Sequence, residues 1–180
     1  TWEYTIDEKG RKVRDWRSTI NDFGAYLATL TLGLCPVWHP STMFRRVKVL
    51  ELGGYDPSFA TAEDYDLWTR IALARLSGAI VPEFLVLQRV HGGRQSITRR
   101  PVQEANTRRA HEKFIGAFTG DSHIEELGFL LRMEKAFWAK CRSKGEFSEV
   151  LGSMNRMTNG MQERFDLSEA EATSFKRSIY

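Results

Sequence analysis

Residues 62–68 of this chain are Ala62-Glu63-Asp64-Tyr65-Asp66-Leu67-Trp68, an acidic pair followed by apolar positions at helical spacing. Leu67, Ile71 and Ala74 form one apolar row, as the buried face of an α-helix requires. The pattern predicts a helix that begins with this stretch and ends by Gly78. The acidic pair then stands in the first helical turn, where the helix dipole favours negative charge by ~0.3–1 kcal/mol.

Short regular elements and turn signals precede this helix. Apolar residues at helical spacing predict a helix from Asn21 to Leu34 that closes near Gly33. The segment from Ser41 to Arg45 predicts a short strand, which leads into a turn of helix from Val47 to Leu52. Gly53-Gly54-Tyr55-Asp56-Pro57 is a strong turn signal.

Strand and loop patterns surround the predicted helices. Residues 79–81 and 84–90 are rich in β-formers and are interrupted by Pro82, which predicts an edge strand with a bend. A flexible glycine-containing loop follows at residues 91–96. Near the start of the chain, Asp7-Glu8-Lys9-Gly10 predicts a hairpin or loop.

The character of the sequence changes near residue 100. Helical segments are predicted at about 101–118, 122–143 and 146–160, and a fourth helix is predicted to start with the cap Ser168-Glu169-Ala170-Glu171. We therefore divide the chain into an α/β part, residues 1–100, and a helical C-terminal extension, residues 101–180.

The composition is that of a globular protein, because 42% of the 180 residues are hydrophobic and 27% are charged. Cys35 and Cys141 lie far apart and lack metal-ligand spacing, so two reduced thiols in a cytoplasmic protein are expected. The apolar stretch from Phe23 to Trp38 is shorter than the ~20 residues that a membrane span needs. Because Thr1 stands first and no signal peptide follows, the chain is expected to begin within a longer protein.

Positive charge is concentrated between Arg89 and Lys113. This stretch contains seven Arg or Lys residues but only two acidic residues, Glu104 and Glu112. Such a stretch indicates a phosphate or anionic-membrane partner, or a solvated helix face. It also raises the alternative of a nucleic-acid-binding module, although aromatic residues are not interleaved with the cations.

The motifs between Pro40 and Ser96 occur in a specific order. The Arg-bearing segment and the Gly-Gly-Tyr-Asp turn are followed by Glu63-Asp64 at a helix start, then by a Pro-Glu pair and an Arg-x-His loop. This ordered set closely resembles the second half of family 2 glycosyltransferases with the GT-A fold. The resemblance covers about residues 1–100. It implies a partial GT-A α/β domain, the acceptor-side portion of the enzyme, with the donor-binding half expected upstream.

The resemblance also implies the chemistry. An inverting transfer needs a carboxylate that takes the proton from the acceptor hydroxyl, and Asp64 with Glu63 fits that role; the alternative is that both merely satisfy the helix end. His91 is expected either to ligate a divalent metal, Mn²⁺ or Mg²⁺, held mostly by the missing half, or to be a solvated loop histidine. Arg89 and Arg94 are expected to bind the donor diphosphate. Trp68 is expected either to stack on a sugar or to lie in the core.

Asp64-Tyr65-Asp66 has the letters of the metal-binding Asp-x-Asp motif of the GT-A fold. Here, however, the triplet lies within a helical pattern. Residues i and i+2 of a helix point about 200° apart, so the two carboxylates would not chelate one ion. We therefore do not interpret this triplet as the metal site.

The predicted function is glycosyl transfer from a nucleotide-diphosphate sugar to an acceptor hydroxyl, with inversion. The resemblance implies saccharide, lipid-linked or protein acceptors, products such as surface polysaccharide or lipopolysaccharide, and no nucleic-acid partner. It implies a cytoplasmic location and leaves peripheral contact with the inner face of the membrane open. A non-catalytic helical interaction module remains the other alternative.

Overall fold

The computed structural model of the chain describes residues 1–94, 98–119 and 144–179. These ranges form a mixed α/β structure, which confirms the predicted class. A 3₁₀ turn at His39–Ser41 accompanies the regular elements. In chain order these are β1 (Trp2–Ile6), β2 (Lys12–Trp16), α1 (Phe23–Thr31), α2 (Arg46–Glu51), α3 (Glu63–Leu73), β3 (Phe84–Arg89), α4 (Arg100–Thr119), α5 (Lys144–Phe165) and α6 (Glu169–Ile179).

The strands form one sheet of order β2-β1-β3, in which β1 pairs antiparallel with β2 and parallel with β3. The β1–β2 connection is a tight hairpin, since the Asp7 carboxylate accepts the backbone N–H groups of Lys9 and Arg11 at 2.9 and 2.8 Å. Gly10 supplies the positive φ of 82° that the turn requires. The predicted hairpin and the position of β3 at a sheet edge are both confirmed.

Helix α1 begins where Asp22 caps it, because the Asp22 Oδ1 atom accepts the Ala25 N–H at 2.8 Å. It ends at Thr31, before Gly33 with φ 71°, as predicted. The predicted cap of the last helix is also confirmed. The Glu171 Oε2 atom accepts the N–H of Ser168 at 2.9 Å, and the Ser168 hydroxyl accepts the Glu171 N–H at 3.3 Å.

Four sequence predictions were wrong in detail. Residues 41–45 do not form a strand; the 3₁₀ turn and an extended segment occupy this place, because no neighbouring strand pairs with it among the described residues. Residues 79–81 are outside β3, since Pro82 lacks the N–H that would continue the pairing. Helix α3 ends at Leu73 rather than near Gly78, because Arg75 has a positive φ of 50°. Helix α5 is longer than predicted.

The helix predicted at 122–143 and Cys141 lie outside the described residues. The other predicted helices after residue 100 are present as α4, α5 and α6. No helix in the described ranges is both long and apolar enough to cross a membrane.

A single hydrophobic cluster joins helices from both sides of residue 100. Its fully buried side chains include Leu27, Leu67, Phe114, Met161 and Phe175, which belong to α1, α3, α4, α5 and α6 respectively. Burying an aliphatic or aromatic side chain of this size contributes ~1.5–3 kcal/mol. The C-terminal helices therefore stabilise the helices that precede them, while the division into two units stays a prediction.

Helices α1 and α6 approach each other closely at Gly24. A Cβ atom placed on Gly24 would lie 2.0 Å from the backbone oxygen of Glu171. The Ser174 hydroxyl donates to the Asp22 Oδ2 atom at 2.6 Å beside this crossing. Glycine is thus required here because the backbone of α6 occupies the space of a side chain.

We predict that Gly24→Ala destabilises the protein by about 1–3 kcal/mol or more, since the added methyl group forces the two helix backbones apart. The measurement is thermal or urea unfolding of the purified chain. Gly78→Ala is the matched control, because a Cβ at Gly78 meets nothing within 4 Å. Equal stability of the two variants would show that α6 does not pack on α1 in this way.

Candidate active site

Helix α3 starts with an unusual backbone conformation. The residue before it, Ala62, is buried and has φ 63° and ψ 25°, the left-handed region that non-glycine residues rarely adopt. An N-cap residue is normally extended. A residue held in this region costs of the order of 1–3 kcal/mol, and such strain is concentrated at functional sites. The outlier therefore points to the first turn of α3, which contains Glu63 and Asp64.

A cleft of about 420 Å³ opens at this helix start. Its volume falls within the ~300–1,000 Å³ range of small-molecule sites. The loop before α3, the first turn of α3, the end of β3, the following loop and α4 all contribute to it. The residues that line the cleft are Thr61, Ala62, Glu63, Asp64, Arg89, His91, Gly93, Arg94 and Gln103.

The structure brings five of the six predicted site residues into this cleft. Glu63 and Asp64 supply two partly exposed carboxylates at the N-terminus of α3. The Asp64 Oδ1 atom accepts the Tyr65 N–H at 2.8 Å. Because free N–H groups and the positive end of the dipole lie here, a carboxylate is favoured at this position.

Basic side chains also line the cleft. The Arg89 guanidinium is fixed by the β1–β2 hairpin, since its Nη1 atom donates to the backbone oxygens of Asp7 and Glu8 at 2.9 Å each. The loop after β3 turns back through a hydrogen bond from the Arg94 N–H to the His91 oxygen at 3.3 Å. Arg89, His91 and Arg94 thus line the same cleft as the two carboxylates.

A buried carboxylate lies close to the basic side of the cleft. Glu3 on β1 is 1% exposed, and burial raises the pKa of its carboxyl above the ordinary value, while the nearby Arg94 guanidinium acts in the opposite direction. The burial of this carboxyl could not be predicted from the sequence, because Glu3 is an isolated acid on a strand.

Asp64 and Asp66 point to different sides of α3. Asp64 lines the cleft, whereas Asp66 is fully buried beneath the helix. The Asp66 Oδ2 atom accepts the Arg70 Nε–H at 2.8 Å and lies 2.7 Å from Arg70 Nη2. Arg70 Nη1 donates in turn to the Leu52 oxygen at 2.7 Å. The two carboxylates therefore do not converge on one point, as the helical periodicity predicts.

Trp68 is the sixth predicted site residue, and the structure places it in the core instead of the cleft. It is 2% exposed, and the His39 ring packs edge-on against it with the ring centroids 6.0 Å apart. Of the two expectations for Trp68, the structure favours the core. Contact with a sugar has no direct support from this placement.

A complete divalent-metal site is not formed by the described residues, since no three His, Cys, Asp or Glu side chains among them are grouped around one point. His91 shares the cleft with the two carboxylates but does not form such a group with them. The metal-binding role of His91 thus stays a prediction that needs donors from elsewhere.

Sequence reasoning missed two kinds of contribution to the cleft. Gln103 comes from α4, beyond the predicted boundary, and the neighbouring Asn106 Nδ2 atom donates to the Thr61 hydroxyl at 3.2 Å. Only the tertiary packing of α4 on α3 creates this contact. The left-handed Ala62 was also missed, because alanine is not a residue that predicts positive φ.

The arrangement combines a carboxylate that can accept a proton with cations that can stabilise an anion nearby. Asp64 is partly exposed and anchored by a buried helix, so it is reachable yet fixed. Guanidinium groups bind phosphate oxygens strongly and with defined geometry. The cleft therefore suits a reaction in which a hydroxyl loses its proton while a phosphate group leaves.

Comparison with known proteins gives one significant similarity. An uncharacterized glycosyltransferase of Haemophilus influenzae is 30% identical to this chain over 105 residues, which cover 53% of this chain and 38% of that protein. The chain thus spans well under half of the length of this relative. No protein-family model matches the chain, and no solved structure matches it.

We predict that Asp66→Asn lowers the free energy of unfolding by ~3–5 kcal/mol, because it leaves the largely buried Arg70 guanidinium without its counter-charge. Asp64→Asn is the matched control two residues away, and it should change stability by ~1 kcal/mol or less. Urea unfolding of both variants measures the difference. Similar losses in the two variants would contradict the assignment of Asp66 to structure and Asp64 to the cleft.

Proposed function

We propose that this chain carries the acceptor-side catalytic portion of an inverting glycosyltransferase, of the family 2 type with a GT-A fold. The observation that carries the proposal is that Asp64, at the start of α3, opens into the same cleft as Arg89, His91 and Arg94. The similarity to a protein named as a glycosyltransferase supports the general class. The order of the motifs in the sequence supports the finer assignment.

The proposed reaction begins at the acceptor hydroxyl. The Asp64 carboxylate takes the hydroxyl proton while the acceptor oxygen attacks the anomeric carbon of the donor sugar. A new C–O bond forms on one face of the sugar as the bond to the diphosphate oxygen breaks on the other. The leaving nucleoside diphosphate keeps the electron pair of that bond, so one displacement inverts the anomeric configuration without a covalent enzyme intermediate.

The cations on the other side of the cleft would stabilise the leaving group. Arg94 belongs to a loop that is open to the cleft, and its guanidinium would bind the diphosphate oxygens as their charge increases. Arg89 is already bonded to two hairpin carbonyls, so it would contribute mainly through its fixed charge. The negative charge of the Glu63 carboxylate would change the electrostatic potential around Asp64.

The proposed donor, acceptor, metal and location follow from the same resemblance to family 2 glycosyltransferases. The donor would be a nucleotide-diphosphate sugar, and the acceptor a saccharide, a lipid-linked group or a protein, in the synthesis of surface polysaccharide, lipopolysaccharide or a related glycoconjugate. A divalent metal, Mn²⁺ or Mg²⁺, when bound would neutralise diphosphate charge; His91 would be one ligand. The location would be cytoplasmic, at or near the inner face of the membrane.

The basic stretch from Arg89 to Lys113 makes several intramolecular contacts. Arg100 pairs with Glu104 at 2.8 Å, and Arg109 lies over the Phe59 ring at 3.8 Å and donates to the Ser58 oxygen at 3.0 Å. Some of the cations in this stretch therefore stabilise a helix or pack against other residues of the chain. Among the described residues of this stretch, no contact specifically favours the nucleic-acid alternative, and the cleft favours the enzyme.

We predict that Asp64→Asn in the natural full-length protein lowers kcat by ~10²–10⁴-fold, because asparagine keeps the shape but does not accept the proton. Donor affinity and melting temperature should change little. The assay measures transfer from a nucleotide sugar, with Asp15→Asn as the control for an exposed aspartate outside the cleft. Normal turnover in Asp64→Asn would remove the catalytic base from the proposal.

We predict that Arg94→Ala raises the donor KM by about tenfold or more, since a charge-assisted hydrogen bond contributes ~1.5–3 kcal/mol. His91→Ala should weaken metal-dependent nucleotide binding. Isothermal titration with a nucleoside diphosphate, with and without Mn²⁺, measures both effects. Arg14→Ala, an exposed arginine on β2 outside the cleft, is the control. Unchanged donor affinity in both variants would show that the loop does not contact the donor.

A further inference from the structure

A second group of side chains adjoins Asp64 without lining the cleft. The His39 Nε2 atom and the Tyr55 hydroxyl are 2.8 Å apart, and their rings meet edge-on with the centroids 5.7 Å apart. Tyr55 is 40% exposed, so much of its ring faces solvent. It follows Gly53 and Gly54, whose φ values of 90° and 69° form the turn that presents it.

Tyr55 is connected to the hydrophobic core through His39 and Trp68. His39, which bonds its hydroxyl, also packs against Trp68, and Trp68 is 2% exposed within α3. The contacts form a chain from a buried tryptophan through a histidine to an exposed tyrosine. A partly exposed aromatic ring is therefore fixed in position instead of being free to rotate, which lowers the entropy lost when a ligand contacts it.

Tyr55 also lies near the candidate base. His39, which bonds the Tyr55 hydroxyl, packs against Trp68, and Trp68 follows Asp64 by one turn of α3. Burial raises the pKa of the Tyr55 hydroxyl, and the charges of Asp64 and Glu63 act in the same direction. The cleft with its arginines is lined by Asp64 but not by Tyr55. Asp64 therefore adjoins two surfaces: a basic one suited to the leaving diphosphate, and an aromatic one.

We propose that Tyr55, held by His39, is the binding platform for a saccharide acceptor, and that its ring packs against the C–H face of the sugar whose hydroxyl Asp64 deprotonates. This inference rests on the proposed function and assigns the acceptor class within it. Tyrosine suits such contact because its body is apolar and its hydroxyl can also bond to polar groups. The aromatic residue that touches sugar is then Tyr55, and Trp68 is its support.

The test uses the natural full-length protein, a nucleotide-sugar donor and p-nitrophenyl glycosides of glucose, galactose and N-acetylglucosamine as acceptors. Tyr55→Ala should raise the acceptor KM by about tenfold or more, while the donor KM and the slow hydrolysis of donor by water stay unchanged. Tyr55→Phe keeps the ring but loses the bond to His39, so its acceptor KM should lie between those of the wild type and Tyr55→Ala. Phe44→Ala, which removes another aromatic ring of similar exposure, is the control.

A readout that does not depend on turnover is binding to an array of immobilised oligosaccharides. The wild type and Phe44→Ala should bind, and Tyr55→Ala should lose that binding. If Tyr55→Ala does not fold, Tyr55→Leu keeps an apolar side chain of similar bulk without an aromatic face, and it should show the same acceptor defect.

The outcomes separate the two proposals. Sugar transfer by the wild type with an unchanged acceptor KM in Tyr55→Ala would overturn the acceptor platform and leave the proposed function standing. Parallel increases of the donor and acceptor KM values would assign Tyr55 to general structure and overturn the platform as well. Failure of the wild type to transfer sugar from any nucleotide-sugar donor would overturn the function and, with it, this inference.

Discussion

The buried bond between Asp66 and Arg70 is the constraint on which the site depends. Asp66 is fully buried in α3, and Arg70, one turn later, joins it to the Leu52 backbone oxygen at the end of α2. Two segments that are close only in the folded chain are thereby fixed to each other. Helix α3 carries Asp64, and the segment that follows α2 carries Tyr55. The bonds that Arg70 makes therefore help to set the distance between the candidate base and the aromatic ring, although neither of these two residues takes part in them.

The C-terminal helices complete this framework from outside. Asn106 on α4 bonds Thr61 immediately before the strained Ala62, and Arg75, just past the end of α3, pairs with Glu171 on α6 at 3.1 Å. Both ends of α3 are thus held by residues beyond position 100. Strain at Ala62 persists only where the surroundings determine the backbone, and the packing of α4 supplies that determination.

Much of the fold and part of the candidate site could be predicted from the sequence, because both depend on the local periodicity of apolar residues. The helical spacing around Leu67 predicts α3 and places Asp64 and Asp66 on different sides of it, as observed. Residues 41–45 were assigned to a strand wrongly, since a strand needs a partner edge and local composition does not supply one. The contributions of Gln103, His39 and Tyr55 could not be predicted, because each arises from contacts between segments distant in sequence.

The position of Asp64 between two unlike surfaces explains why one residue would suffice as the proton acceptor. A displacement at carbon needs the entering and leaving oxygens on opposite faces of the sugar, so the groups that serve them must lie on opposite flanks. Under the proposed function, the arginines that line the cleft would stabilise the negative charge of the leaving diphosphate. The Tyr55 ring offers an apolar face, which under the proposal packs against a neutral sugar and does not compete for the diphosphate. Under the proposed function, the Asp64 carboxylate would meet a neutral acceptor on one side and an anionic leaving group on the other, and this asymmetry would select the direction of attack.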